Sequence, residues 1–385
     1  MENKTYLKRT LLLASLMVGT ALPGTSQATE SSGFMNMLDF YGDFRFRFEE
    51  DWGSTSSSGA KRSDRARARI RGRLSLKIKP NEFFEINTRL RTGNKDNQQS
   101  PHWTIADFSN NSHGAGGLVF DKWYAKAKKD HLWAWGGRNG IPIWKQNELL
   151  WDDDVTLIGG GAGVKNYAIG SGKLSLNTAY VLLPDGTREN HGEMAIGQLV
   201  YSTKLNNIAW TAAGGVLVLD ADSSTPDYLR QGNGNRDYTI WVANLQAKTE
   251  VSGLPVSLGF DFMHNNEDYN AAELAGSPTG TTDDDTEAYV FQIRVGKKKS
   301  QGDWLIGYSY AHIETFAVNG SYAQDDWMRW GSSKQTDATD FEGHEVRLGY
   351  VLPWRWKVLA RYYNVESKNN PQDGQRFRLD FNRSF

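Results

Sequence analysis

The sequence predicts an all-β fold, a transmembrane antiparallel β-barrel of about 16 strands with short periplasmic turns and long extracellular loops. Three observations carry this reading. Polar and apolar residues alternate with a period of two in segment after segment. The segments stay close to the roughly 9–11 residues that a tilted strand needs to cross a bilayer. The connections between them alternate between tight turns and long polar stretches, a regularity that a soluble sandwich or propeller does not require.

The chain of 385 residues opens with Lys4, Lys8 and Arg9, an apolar run TLLLASLMVGTALPG, and Ser26-Gln27-Ala28. This is the layout of a secretory signal peptide over residues 1–28, with cleavage expected after Ala28 and residues 29–385 left as one barrel domain. The apolar run falls short of the roughly 20 residues of a spanning helix, which argues against a single membrane anchor. The short stretch between Ala28 and Asp39 leaves no room for the plug of an energy-coupled receptor.

The first strand, LDFYGDFRFRFEED, opposes Phe40, Phe44, Phe46 and Phe48 to Asp43, Arg45, Arg47 and Glu49. A polar loop leads to DRARARIRGRLSLKIKP, with Arg65, Arg67, Arg69, Arg71 and Arg73 on one face and Ala66, Ala68, Ile70, Gly72 and Leu74 on the other. Taken alone, that pattern also suits a nucleic-acid patch or the solvated face of a surface sheet. Pro80-Asn81-Glu82 makes a tight turn, and FFEINTRLRT opposes Phe84, Ile86 and Leu90 to Glu85, Arg89 and Arg91. Further strands are expected near 118–128, 131–138, 160–169, 172–183, 193–204, 207–219, 238–250, 254–264, 287–297, 302–315, 341–352, 354–366 and 374–385. Long loops fall at 93–117, 139–159, 265–286 and 316–340.

Aromatic residues at strand ends, Trp354, Trp356 and Tyr362 on one strand and Tyr289 and Phe291 on another, suit the headgroup level of a membrane. The last strand, GQRFRLDFNRSF, ends on Phe385 in phase with Phe377, Leu379 and Phe381. A terminal aromatic on an alternating strand is the form of signal read by the barrel assembly machinery.

The mean hydropathy of −0.59 would ordinarily indicate a soluble protein, but a barrel strand shows half of its residues to water and hides its membrane signal. No later stretch approaches an unbroken apolar run of about 18 residues, so any span must be built of strands. The absence of cysteine removes disulfide scaffolds, thiolate catalysis and cysteine-zinc sites together. A net charge of −1 gives no signature of nucleic-acid binding.

The segments YGDFRFRFEED, DRARARIRGRLSLKIKPN and IPIWKQNELLWDDDVTLIGGG resemble the putative-porin family of proteobacterial outer membranes and, more distantly, the alginate-export and phosphate-selective porins. The resemblance implies a passive outer-membrane channel, with a homotrimer as the family-level expectation, and it carries no substrate. In general porins the third long loop folds inward to narrow the pore, so the resemblance implies the same for 139–159.

If the barrel closes, its last strand pairs with its first, since closure leaves no edge. Arg376 and Arg378, then Arg45 and Arg47, the five alternating arginines, and Arg89 and Arg91 would form one basic pore wall. Arg355, Lys357 and Arg361 extend it on the preceding strand. Mutual repulsion would be eased by screening over roughly 8–10 Å and by inward Asp43, Glu49, Glu85, Glu345 and Asp380. The acidic residues Glu148, Asp152, Asp153 and Asp154 are expected on the constriction loop facing this wall, where a transverse field favours polar solutes. A solvated loop or a calcium site is the other reading of that acidic run.

A second acidic run, Asp283-Asp284-Asp285, reads as a loop tip that could touch cations bridging lipopolysaccharide. His102, His113, His131, His191, His264, His312 and His344 fall in no His-Ser or HExxH pattern, and His344 reads as a lumen or interface residue. Gly159-Gly160-Gly161 lacks the Lys-Ser/Thr of a phosphate loop and reads as a bend. The expectation is a non-enzymatic porin passing small hydrophilic solutes or ions, preferring anions, surrounded by outer-membrane lipid and lipopolysaccharide, with no cofactor, metal or nucleic acid. The alternatives are a substrate-specific oligosaccharide or anion channel, a barrel without conductance, and an outer-membrane barrel enzyme.

Overall fold

Alternation lets each strand offer one face to lipid and the other to the interior, and a row of such strands satisfies its backbone groups only by closing on itself. The computed structural model describes residues 33, 35–94, 99–111, 114, 116–184, 190–221, 236–328 and 338–385, with Pro184, Asn190 and His191 described as backbone only. The expected signal peptide and His113 lie outside the described residues, as does the side chain of His191.

The strands are β1 (Leu38–Thr55), β2 (Arg65–Ile78), β3 (Phe84–Thr92), β4 (Trp103–Asp107), β5 (Leu118–Lys129), β6 (Leu132–Asn139), β7 (Leu157–Ile169), β8 (Gly172–Pro184) and β9 (Asn190–Leu205). They continue with β10 (Ile208–Ala221), β11 (Tyr238–Val251), β12 (Leu254–Asn265), β13 (Glu287–Gly296), β14 (Trp304–Ile313), β15 (Phe341–Val351), β16 (Lys357–Ser367) and β17 (Asp373–Ser384). Apart from β4, consecutive strands pair antiparallel, β3 pairing with β5, and β17 pairs with β1 in the register Arg47↔Asp380 to seal the barrel. Of the 17 strands in the sheet, β4 is a short extra one that pairs with the upper part of β2, beyond the end of β3. The closed wall among the described residues therefore has 16 strands, as expected.

Several boundaries differ from the expectation. The strand expected from 354 begins at Lys357, because Pro353–Arg355 form a 3₁₀ turn with Trp354 and Arg355 at positive φ. Arg355 is consequently exposed at the rim and does not join the inner wall. Gly159-Gly160-Gly161 is no bend: it lies inside β7, paired on both sides without a break in register at these residues. The inward Gly161 and Gly163 leave space for the indoles of Trp135 and Trp133 on β6, which a Cβ at either glycine would meet at 2.7 Å.

Short turns gather at one end. Asn206 and Asn207, both at positive φ, make the two-residue connection between β9 and β10, and Ser252-Gly253 do the same between β11 and β12. Outward positions are apolar and exposed, among them Phe84, Phe120, Leu132, Leu199, Trp241, Phe260, Phe291 and Leu348. His344 also points outward, where its Nδ1 lies 2.8 Å from the Tyr308 hydroxyl, so it is not a lumen residue.

The principal core lies inside the barrel, at the long-loop end. Inward Val181, Leu183, Met194, Ile196, Leu217, Leu219, Ile240, Met263, Val290 and Ile313 form an apolar lining on β8 to β14. Two loop segments cover it. One, 140–156, contributes Leu149, Leu150, Trp151 and Val155; the other, 314–328, contributes Ala317, Val318, Tyr322, Ala323, Trp327 and Met328. Burial of side chains such as these gains roughly 1.5–3 kcal/mol each, which is why both segments turn in.

Candidate pore interior

The inner faces of β16, β17, β1, β2 and β3 carry the predicted arginines, and each of them has a carboxylate within ion-pair distance. Arg71 and Arg73 both reach Asp43 at 2.7 Å. Glu49 is shared by Arg67, by Arg69 at 3.4 Å and by Arg378 at 3.3 Å. Asp380 receives Arg47 at 2.6 Å and lies 3.9 Å from Arg45, which also donates to Asn382 at 2.7 Å. Arg65 meets Asp107 at 2.7 Å, Arg376 meets Asp51 at 2.5 Å, and Asp121 holds both Arg89 and Arg91. The sector is a ladder of charge pairs, fully hydrogen-bonded in places, rather than a bare cationic sheet.

Two devices make this ladder dense. Alternation on β1 and β17 sets acid and base side by side on one face, so Arg47, Glu49 and Asp51 are all buried inward. On β5 a bulge opposite Arg89 and Leu90 adds one residue to the ladder. Both Asp121 and Lys122 then face the interior, a point that regular alternation could not reveal.

The segment 140–156 crosses the interior and is fastened to the far wall. The Trp144 amide donates to Gln198 Oε1 at 2.7 Å, and Gln198 Nε2 donates back to the Trp144 carbonyl at 2.8 Å. Gln146 Nε2 donates to Asp261 at 2.6 Å and to the Leu245 and Phe260 carbonyls at 3.1 Å, while its Oε1 accepts from Gln246 at 3.0 Å. Gly259 makes room for it, since a Cβ there would overlap the Gln146 amide.

Of the four acidic residues predicted to face the wall, one touches it. Asp154 reaches Arg73 at 2.8 Å and Arg71 at 3.7 Å. Asp153 pairs with Lys145 of its own segment at 2.7 Å. Asp152 accepts from the Asp154 amide at 2.7 Å, and Glu148 accepts from Gln324 Nε2 at 3.3 Å. Burial raises the Glu148 carboxyl to about 7, with Asp153 adding to the effect. Burial beside Glu148 and Asp154 likewise lifts Asp152 well above its ordinary range.

The sequence reading missed Asp326, on the second inward segment. It meets Arg47 at 3.7 Å, Arg361 at 3.4 Å, and Arg378. Burial would raise its carboxyl, but Arg378, Arg47 and Arg361 hold it well below the usual range. The two inward segments also clasp each other: Trp151 stacks on Tyr322 at 4.9 Å, and the Asp152 amide donates to the Tyr322 carbonyl at 2.7 Å. The clue lay in the sequence as TFAV and the aromatic, methionine-bearing DDWM, apolar matter inside a loop expected to be solvated. Asp285 of the other acidic run is engaged by the Thr282 amide at 2.9 Å and by Asn369 at 3.1 Å, and no metal-holding group of side chains occurs among the described residues.

A closed wall of this size, apolar outside and charged within, with tight turns at one end and long loops at the other, defines an outer-membrane β-barrel of the porin type. Residues 56–184 match the family described as putative porin. Among solved structures, the chain resembles Pseudomonas putida OprB at high pH with a TM-score of 0.58 and 12% identity, over 93% of this chain and 96% of that one. The low-pH form of OprB gives 0.51 and 13% over 93% and 95%. Vibrio cholerae OmpT, in its trimer form, gives 0.50 and 11% over 90% and 99%. At such identity the likeness is one of fold. No curated protein sequence matches the chain.

Proposed function

We propose that the protein is a passive outer-membrane channel for small hydrophilic solutes, with a preference for anions, and not an enzyme. The observation that carries this reading is the balance of charge on the inner wall: among the described residues, the ion pairs of twelve arginines involve nine carboxylates, Asp43, Glu49, Asp51, Asp107, Asp121, Asp154, Asp326, Glu345 and Asp380. Guanidinium charge therefore exceeds carboxylate charge in that sector, and a water-filled lumen with such an excess lowers the energy of a passing anion. The inward segments supply the narrowing through which solutes must pass one face against the charged ladder.

Arg45, Arg47, Arg65, Arg67, Arg69, Arg71, Arg73, Arg89, Arg91, Arg361, Arg376 and Arg378 are the residues proposed to set this preference, with Asp154 as their counterpart on the constriction. Phe385, 66% exposed at the short-turn end, is the proposed contact of the assembly machinery after removal of residues 1–28. Lipopolysaccharide is the proposed surrounding of the long-loop end. By analogy with OmpT, a homotrimer is the proposed assembly.

Purified protein in a planar bilayer tests the reading directly. Discrete conductance steps and an anion-selective reversal potential under a KCl gradient are expected. No steps at any salt concentration would exclude a channel, and a cation-selective potential would exclude the anion preference while leaving the channel in place.

A further inference from the structure

On the short-turn side of the segment 140–156, against β5 to β9, lies a cavity of about 780 Å³ whose chemistry differs from that of the arginine ladder. Lys122, Lys126 and Lys165 line it. Each wall arginine has a carboxylate within ion-pair distance, but these three lysines have none among the described residues. The lining carboxylates do not cancel them: Asp153 is taken by Lys145 at 2.7 Å, and Asp152 is turned to the Asp154 amide. Glu85 and Asp130 remain, against three ammonium groups and Lys128.

Between the lysines stand indoles. Trp133 and Trp135 lie over the inward glycines of β7, and the backbone of Trp144, which also lines the cavity, is clamped by Gln198. Lys126 Nζ sits 6.0 Å from the centre of the Trp133 ring, which holds the cation beside a flat apolar surface.

Unneutralised ammonium groups beside flat indole faces call for one ligand chemistry. We propose that this cavity is a binding station for an organic anion with an apolar ring face, either an aromatic carboxylate or an acidic sugar. The carboxylate meets the lysines and the ring lies on indole. The station deepens the channel reading and rests on it. It adds a second step, discrimination among anions at the lysines beyond the constriction, to the anion preference set by the arginine ladder.

Single-channel recording tests the station. Millimolar benzoate and glucuronate, added separately, are expected to interrupt the current, with the longer-lived of the two identifying the better ring. Acetate, which lacks a ring, and glucose, which lacks a charge, are expected to have residence times at least about fivefold shorter. Lys126→Met and Trp133→Leu should each shorten the benzoate or glucuronate events by about fivefold or more, while Trp133→Phe, which keeps a ring and is the milder change for folding, should retain most of the residence. Equal events from acetate and the ring-bearing anions, or unchanged residence in both Lys126→Met and Trp133→Leu, would overturn the proposal. The wild-type reversal potential reports separately on the anion preference: an anion-selective channel with no ring dependence removes the station and keeps that reading.

Discussion

Arg47 of β1 and Asp380 of β17 meet across the seam where the barrel closes, Nε to Oδ1 at 2.6 Å and Nη2 to Oδ2 at 3.0 Å. Both are buried, at 1% and 0% exposure. A bidentate pair at the joint of first and last strands fixes register where no turn can do so.

Asp380→Asn leaves Arg47 buried with one remaining carboxylate, Asp326, at 3.7 Å. The expected loss is about 3 kcal/mol, at the low end for a broken buried pair because of that second partner. The temperature at which the folded band on an unboiled gel converts to the unfolded one should fall. The double variant Arg47→Met with Asp380→Leu should recover much of it, since replacing both charges removes the desolvation cost of each.

Glu49 carries a second prediction. It is fully buried and depends on Arg67, Arg69 and Arg378 for its charge compensation. Arg67→Ala with Arg69→Ala should lower stability as well as shift the reversal potential toward cations. Adding Glu49→Gln should restore stability without restoring anion preference, which separates the structural share of these arginines from their share in selectivity. Recovery of both together would show that the two cannot be separated.

Gly259→Val should release the constriction. The new side chain occupies the place of the Gln146 amide, whose hydrogen bonds are worth about 0.5–1.5 kcal/mol each. Larger and noisier single-channel currents are expected, with barrel stability little changed because Gly259 sits in an intact stretch of β12. Wild-type currents would mean that Gln146 does not hold the segment in place.

Docking of the inward segments should depend on pH with a definite sign. Glu148 has its carboxyl raised from 4.5 to about 7 in the docked state, so docking is fully supported below the usual carboxyl range and weakens as pH rises through the interval from 4.5 to about 7. Asp152 acts in the same direction. Asp326 has the opposite shift and stays ionised across this interval, so its arginine contacts persist. Conductance fluctuations should increase from about pH 5 to about pH 8, and Glu148→Gln should flatten the change. A flat wild-type profile would remove Glu148 from the account.

The wall was legible because strand alternation is a local property: from Phe40 to Glu49, or Arg65 to Leu74, each residue's parity alone assigns its face. Closure followed from the same parity on the last strand. The short β4 was not legible, since WTIAD is embedded in a loop rich in Gly, Ser and Asn and pairs with only the upper end of β2. Asp121 was hidden by a bulge that breaks parity for one residue. The inward loops had a signal that went unused: YVLLP, VLVLD and YTIWV are apolar on both faces at one end of their strands, and an inner face that is apolar must be covered by something other than water. What no pattern could supply was which loop covers it, because Trp151 and Tyr322 meet only in three dimensions.

The apolar lining of β8 to β14 also bears on how the molecule is made. Its cover comes from chain segments that precede those strands at 140–156 and follow them at 314–328, and the two meet each other only once both sides of the sheet have come together. A half-built sheet would therefore present greasy surface on both sides, with nothing to distinguish inside from outside. Assembly should proceed in two beats, rolling of the sheet and then a collapse of loops into its mouth. The second beat is the moment at which the unfinished protein stops being attractive to its neighbours.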